Sequence, residues 1–167
     1  MKTAGVLIAI ALALALQTSL ARFVVGGTAA LDLVLVVVVY VALTTGPVTG
    51  MLAGSIAGII QDALSSGTVG IGGLAKAIVG FAGGVIGQQF IVTAAFPRFV
   101  MFVAATVVHA MLFMGMYVAL GLKEFPSPWA AVLSQALVNA AVGIIAFAII
   151  ESLPGAIERR KYRRSRR

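Results

Sequence analysis

The sequence predicts an all-α polytopic integral membrane protein with six transmembrane helices, and three observations lead to this fold class. Of its 167 residues, 61% are hydrophobic and 10% are charged, which is too few polar side chains to cover a globular surface in water. Apolar runs long enough to cross about 30 Å of hydrocarbon recur along the whole chain. Most of the formal charge of +7 lies in a basic tail, a typical topology signal. We expect one transmembrane domain over residues 1–157 and a basic tail over 158–167.

The first three apolar runs predict spans at about residues 5–20, 29–43 and 47–64. The first is an Ala/Leu run behind Lys2, for which a signal peptide cleaved after Ala21 is the alternative. The second is rich in Val, which favours strands in water, but a lone strand cannot pair its backbone groups inside lipid. The third begins at Pro47, because the missing N–H of proline costs nothing in the first turn of a helix.

The remaining runs predict spans at about residues 74–90, 99–120 and 129–153. Residues 91–98 either extend the fourth helix or lie on the membrane surface, and Pro97 marks the break. The loop over 123–128 contains two prolines and is a turn. Trp129 opens the last span at the interfacial depth that indole prefers.

Basic residues predict the orientation of the chain. Seven of them follow the last span directly: Arg159, Arg160, Lys161, Arg163, Arg164, Arg166 and Arg167. The positive-inside rule places them in the cytoplasm, and six spans then place the N-terminus there as well. The same count places Arg98 inside and the turn over 65–73 outside. We expect the tail to hold anionic lipids, with a protein docking site as the alternative, and we expect no nucleic-acid partner.

Small residues recur every four positions in the third and fourth spans, and residues at this spacing lie on one face of a helix. The two series are Gly46, Gly50, Gly54, Gly58 and Asp62, and Gly72, Lys76, Gly80, Gly84 and Gln88. Inside lipid, faces nearly free of side chains let two backbones approach closely. We therefore expect a helix-packing or partner interface at Gly50, Gly54, Gly58, Gly80 and Gly84.

A charged residue of each sign accompanies these glycines near the turn between the two helices. Asp62 precedes the end of the third helix by about as much as Lys76 follows the start of the fourth, so the two are expected at matching depth. The sequence predicts that they form an ion pair, or that Asp62 is a contact site for a partner. The alternative is that both side chains reach interfacial water.

Polar residues inside spans cost free energy and are therefore informative. His109 lies near the middle of the fifth span, while Gln135 and Asn139 share one face of the sixth. In an antiparallel pair of helices, His109 and Asn139 reach matching depth, so we expect them to form a buried hydrogen-bonded pair. Glu151, near the cytoplasmic end, is expected to pair with the tail arginines.

The sequence predicts no enzymatic activity, no cofactor and no metal site. A hydrolase or transferase needs a nucleophile with a base, paired carboxylates or a metal cluster. The chain has no cysteine and one histidine, and its five acidic residues are dispersed.

The stretch from Gly50 to Gly84 resembles a known family. The matching motifs are Gly54-x-x-x-Gly58-Ile59-Ile60-Gln61-Asp62, then Gly67, Gly70-Ile71 and Lys76-x-x-x-Gly80-Phe81. They are similar to the signature of the rod shape-determining protein MreD family, over about a quarter of the chain. The resemblance implies a non-enzymatic subunit of the bacterial wall-elongation machinery in the cytoplasmic (inner) membrane. It further implies binding to the single-span protein MreC, beside the MreB cytoskeleton and the wall-building glycosyltransferase and transpeptidase.

A second resemblance leaves an alternative function open. Substrate-binding subunits of energy-coupling-factor transporters are also small six-helix membrane proteins, and the predicted fold resembles theirs. This alternative expects a polar pocket near the outer face that binds a small molecule. In this sequence only Asp62, Lys76 and loop residues are expected to line one.

Overall fold

The structure is a computed structural model that describes residues 3–20, 31–65, 67–89 and 94–152. These residues form six α-helices and no strand, so the all-α prediction is confirmed for this part of the chain. The helices are α1 (Thr3–Leu20), α2 (Leu33–Thr45), α3 (Pro47–Leu64), α4 (Ile71–Gln89), α5 (Ala95–Ala119) and α6 (Trp129–Ser152). Among the described helices, α4, α5 and α6 are clearly long and apolar enough to cross a membrane. The basic tail lies outside the described residues, and the count of six spans stays a prediction.

Helix α2 is the centre of the bundle, because it contacts each of the other five helices. It is apolar on all sides, as expected of a helix buried in a core, and its buried residues are Val34, Leu35, Val36, Val38, Val39, Val41 and Ala42. Its 13 residues rise about 20 Å, less than the thickness of the hydrocarbon. Its N-cap residue, Asp32, is buried, so α2 begins inside the bundle and not at its surface.

Two apolar clusters flank α2. On one side α1 packs against α2 and α3 and buries Val6, Ile10 and Leu14, so α1 is part of the core. On the other side α5 and α6 pack against each other and against α2, with Phe102 and Phe147 in the centre of the contact. The polar residues described below lie where these two halves of the core meet α4.

The α3–α4 hairpin contains the most extensive helix contact in the described bundle. It begins at Gly46, which ends α2 and starts α3 with a φ of 103°, a left-handed conformation that glycine adopts without strain. Pro47 then occupies the first turn of α3, as predicted. Helix α3 has the predicted bounds, 47–64, because a proline at its start and a Ser/Gly-rich turn at its end mark both limits.

Helix α5 begins at Ala95, earlier than the predicted start at residue 99. Pro97 does not separate two helices but lies within the first turn of α5. A proline is tolerated there because the first N–H groups of a helix have no intrahelical acceptor. Of the ambiguous segment 91–98, the part after residue 94 thus belongs to α5, and residues 91–93 lie outside the described part of the chain.

Candidate functional site

A cluster of buried polar residues joins four helices near the start of α2. Its members are Asp32, Lys76, Thr106, His109 and Asn139, and each is at most 7% exposed. Lys76 Nζ lies 2.9 Å from Asp32 Oδ2 and 3.2 Å from His109 Nε2. We call this set the polar cluster.

The backbone of α2 fixes one side of the polar cluster. Asp32 is the N-cap of α2, and its Oδ1 accepts a hydrogen bond from the Leu35 N–H at 2.9 Å. An N-cap carboxylate satisfies a donor that has no intrahelical partner and is stabilised by the positive end of the helix dipole. The backbone N–H of Asp32 donates to Asn139 Oδ1 at 2.9 Å. The carboxylate of Asp32 therefore uses one oxygen for its own helix and the other for Lys76.

The other side of the polar cluster is held by α5 and α6. Asn139 Nδ2 donates to Thr106 Oγ1 at 3.1 Å, and Thr106 Oγ1 in turn donates to the Phe102 carbonyl. An ammonium group can only donate, so His109 Nε2 accepts from Lys76 and the ring proton is on Nδ1. Lys76 and Asp32 thus neutralise each other, and the neutral His109 completes the environment of the ammonium group.

The predicted ion pair between Asp62 and Lys76 is not formed in the structure. Asp62 Oδ2 instead accepts backbone N–H groups from Gly70, Gly72 and Gly73, at 2.9, 2.9 and 3.2 Å. The reason is that the start of α4 offers unpaired N–H donors beside Asp62, while Asp32 reaches Lys76 from α2. A carboxylate close to a Gly-rich helix start is a signal for this role. Neither the binding of Asp62 to backbone N–H groups nor the pairing of Asp32 with Lys76 was predicted from the sequence.

His109 and Asn139, which were predicted to hydrogen-bond to each other, bond to other residues in the structure. Both side chains are buried and belong to the polar cluster. Their hydrogen bonds, however, go to Lys76 on one side and to Asp32 and Thr106 on the other. The start of α2 and Lys76 of α4 lie beside these two helices and supply the additional donors and acceptors.

The five predicted packing glycines lie where the backbones of α3 and α4 meet. A Cβ atom added to Gly58 would lie 2.6 Å from the Gly73 Cα, and one added to Gly50 would lie 2.5 Å from the Gly80 carbonyl oxygen. Added Cβ atoms at the other three would overlap backbone atoms: Gly54 meets Lys76, Gly80 meets Gly50, and Gly84 meets Pro47. This glycine face is therefore filled by the neighbouring helix of the same chain.

At the far end of the bundle, Arg98 forms a second ion pair. Its Nη2 donates to Glu151 Oε1 at 2.6 Å, and its guanidinium carbon lies 4.2 Å from the centre of the Phe147 ring. The sequence analysis assigned Glu151 to the tail arginines, which lie outside the described residues. In the structure Glu151 pairs with Arg98, because the start of α5 and the end of α6 are adjacent.

A cavity of about 510 Å³ opens between α1, α3, α4, the end of α5 and the start of α6. Asp32, Lys76 and His109 line its floor. Its wall includes three aromatic rings in succession, with Phe113 and Tyr117 centroids 4.8 Å apart and Tyr117 and Phe125 centroids 6.2 Å apart. Gln61, Asp62 and the loop residues Lys123 and Glu124 complete the lining.

The cavity is lined by titratable, amide and aromatic side chains. Within the described residues no group of three or more His, Cys, Asp or Glu side chains is placed to hold a metal ion. The cavity combines an apolar, aromatic wall with a few convergent polar groups, which is the usual composition of a small-molecule site. It contains Asp62 and Lys76, the two residues named above for a small-molecule pocket.

A family model described as rod shape-determining protein MreD matches residues 2–154. No curated protein and no solved structure matches the chain.

Proposed function

The chain belongs to the rod shape-determining protein MreD family, and from this premise we propose that it binds MreC and helps regulate or scaffold peptidoglycan synthesis. The family match carries this proposal, since it extends over residues 2–154 of 167. Membership makes the chain a membrane component of the rod-shape machinery, and its apolar helices support a membrane location. We propose no enzymatic activity for the chain. MreB, the glycosyltransferase and the transpeptidase are the further members of the proposed assembly.

The packing of the α3–α4 hairpin indicates which face of α3 is available to a partner helix. The glycine face is occupied by the α3–α4 contact, so it is not available to a partner helix. The opposite face of α3 exposes large apolar side chains, among them Leu52, Ile56 and Ile60. In lipid, a single-span partner such as MreC can pack against this face by van der Waals contact between complementary helix surfaces. The partner therefore binds outside the hairpin, and the glycines act by holding the hairpin together.

Co-purification with the partner tests this function. We expect the full chain, expressed with the single-span coiled-coil protein from its own gene neighbourhood, to co-purify with that protein in mild detergent. An unrelated single-span protein, carrying the same tag and expressed at the same level, is the matched control. Loss of rod shape on depletion of the chain, with recovery on re-expression, is the expected cellular result. Equal recovery of both single-span proteins, or unchanged cell shape on depletion, would contradict the proposal.

A six-span topology with both termini in the cytoplasm is part of the proposal. The seven basic tail residues support it, as does Arg98, which lies at the same end of the bundle as the C-terminal end of α6. The chain has no cysteine, so single cysteines can be introduced for labelling. A cysteine at Thr68 is expected to react with an impermeant maleimide in intact spheroplasts, and one after Arg167 only after lysis. Labelling of the tail in intact spheroplasts would overturn both the orientation and the even number of spans.

The cavity favours a second candidate function, a small-molecule-binding subunit of an energy-coupling-factor-type transporter. Its polar floor and aromatic wall are what such a subunit requires. The two candidates differ in their partners, because the transporter subunit would co-purify with an ATPase pair rather than with a single-span coiled-coil protein. Co-expression with the ATPase pair, beside the single-span protein, therefore distinguishes them.

A further inference from the structure

We propose that the cavity binds a small organic cation, with an ammonium group at the Gln61–Asp62 end and an apolar or aromatic body against Phe113, Tyr117 and Phe125. The inference concerns the occupant of the cavity and does not depend on which protein the chain binds in the membrane. It is based on the charge balance of the lining, on an amide without a partner, and on the arrangement of the rings.

The charges that line the cavity leave one carboxylate without a cationic partner. Asp32 and Lys76 neutralise each other at 2.9 Å, and Lys123 and Glu124 at the mouth carry opposite charges. Asp62 forms no ion pair with any described Lys or Arg. The positive end of α4 offsets only about half of a unit charge. Among the described residues that line the cavity, one negative charge thus remains without a cation, and this favours a cationic ligand.

Gln61 and Asp62 are consecutive residues near the end of α3, and both line the cavity. All three hydrogen bonds to Asp62 go to Oδ2, and Oδ1 accepts none of them. Gln61 Oε1 is buried without a hydrogen-bond partner in the described part of the chain, although buried polar groups are normally paired. The last torsion of a glutamine side chain is soft, so the amide of Gln61 can reorient to meet a ligand in the cavity. Together they offer two acceptors to one ammonium group.

The aromatic wall suits the same ligand. A cation is attracted to a ring face at up to about 6 Å from the centroid. The Lys123 ammonium already lies 5.2 Å from the Phe125 centroid, which shows that a cation fits against this wall. The volume of about 510 Å³ lies within the range of small-molecule sites. An anionic ligand fits less well, because Lys76, the cation at the floor, is already held by Asp32 and His109.

The test compares three probes that share a phenyl group and differ in charge: phenethylammonium, 2-phenylethanol and 3-phenylpropionate. Binding to the full-length protein is measured by calorimetry and by ligand-observed NMR in dodecyl maltoside, which is uncharged. We expect saturable binding of phenethylammonium and at least about tenfold weaker binding of the other two, as the loss of a charge-assisted hydrogen bond implies. Equal binding of all three, or a preference for the carboxylate, would overturn the inference.

Two variants locate the ammonium group. Asp62→Asn is expected to weaken phenethylammonium binding about tenfold or more, although it also alters the start of α4. Gln61→Glu adds a second carboxylate without removing any hydrogen bond within the described structure, so it is expected to tighten binding. Gln88→Glu makes the same change at an exposed site at the other end of α4 and is the control, with unchanged affinity. Equal effects of Gln61→Glu and Gln88→Glu would contradict the assignment. Probe binding without partner co-purification would reject the proposed function and leave this inference standing.

Discussion

Replacing Gly54 by Leu is expected to separate α3 from α4 and to prevent accumulation of the folded protein, although the substitution makes the span more apolar. A Cβ atom at this position would overlap the carbonyl group of Lys76, and a backbone group cannot move aside as a side chain can. Overpacking of this kind costs about 3 kcal/mol or more. For a chain of this size the apparent melting temperature should then fall by about 10 °C.

Gly115→Leu is the matched control for this variant. Gly115 lies in α5 with no atom within 4 Å of an added Cβ, so the same substitution is expected to leave stability unchanged. Membrane insertion is measured by alkali-resistant association, and folding by fluorescence-detected size exclusion and thermal unfolding in detergent. We expect both variants to insert and only Gly54→Leu to lose the folded peak. Equal stability of the two variants would mean that the hairpin does not pack as described.

The glycine contact also positions the polar cluster. The backbone that Gly54 approaches most closely is that of Lys76 itself, whose side chain reaches Asp32 and His109. Because Gly54 has no side chain, the backbone of α4 lies close to α3 at Lys76, and this contact fixes the position of the Lys76 charge. A change at Gly54 is therefore expected to disturb the ion pair as well as the hairpin.

The helices and the glycine face were predictable from sequence because both depend on local patterns. Apolar length predicts a helix in lipid, and a four-residue spacing places Gly50, Gly54 and Gly58 on one face regardless of what packs there. That the face meets α4 also follows, since the turn between the two helices is short. The start of α5 was less predictable, because a proline such as Pro97 can lie either in the loop before a helix or in its first turn.

The partner of Lys76 was not predictable in the same way. Asp32 lies 44 positions earlier in the sequence, at the start of α2. Neither apolar length nor the four-residue spacing of glycines indicates that α2 contacts α4. Its role depends on α2 being short and central, so that its N-cap is deep in the bundle. The sequence therefore indicated the buried charges but paired Lys76 with Asp62, the nearest carboxylate in the chain, whose available donors are backbone N–H groups.

The buried pair of Asp32 and Lys76 predicts a strong non-additivity between substitutions. Lys76→Met removes the cation and leaves the carboxylate of Asp32 buried without its partner, and Asp32→Asn strands the ammonium group while its Oδ1 can still cap α2. Breaking a buried ion pair by removing one member typically costs about 3–5 kcal/mol. The double variant leaves no unpaired charge, so we expect it to be more stable than the sum of the two losses predicts, and no worse than either single variant.

The control for this double-mutant cycle is the same cycle with Asp62 in place of Asp32. Asp62 binds backbone N–H groups and not the ammonium group of Lys76, so Asp62→Asn and Lys76→Met are expected to add more nearly, since residues without shared partners show little coupling. Unfolding free energies in detergent, measured for the wild type and for the three single and two double variants, give the two coupling energies directly. A larger coupling for Asp62 than for Asp32 would restore the pairing expected from sequence and contradict the structure. Strict additivity in both cycles would mean that neither carboxylate senses Lys76, because water reaches the charges and screens them.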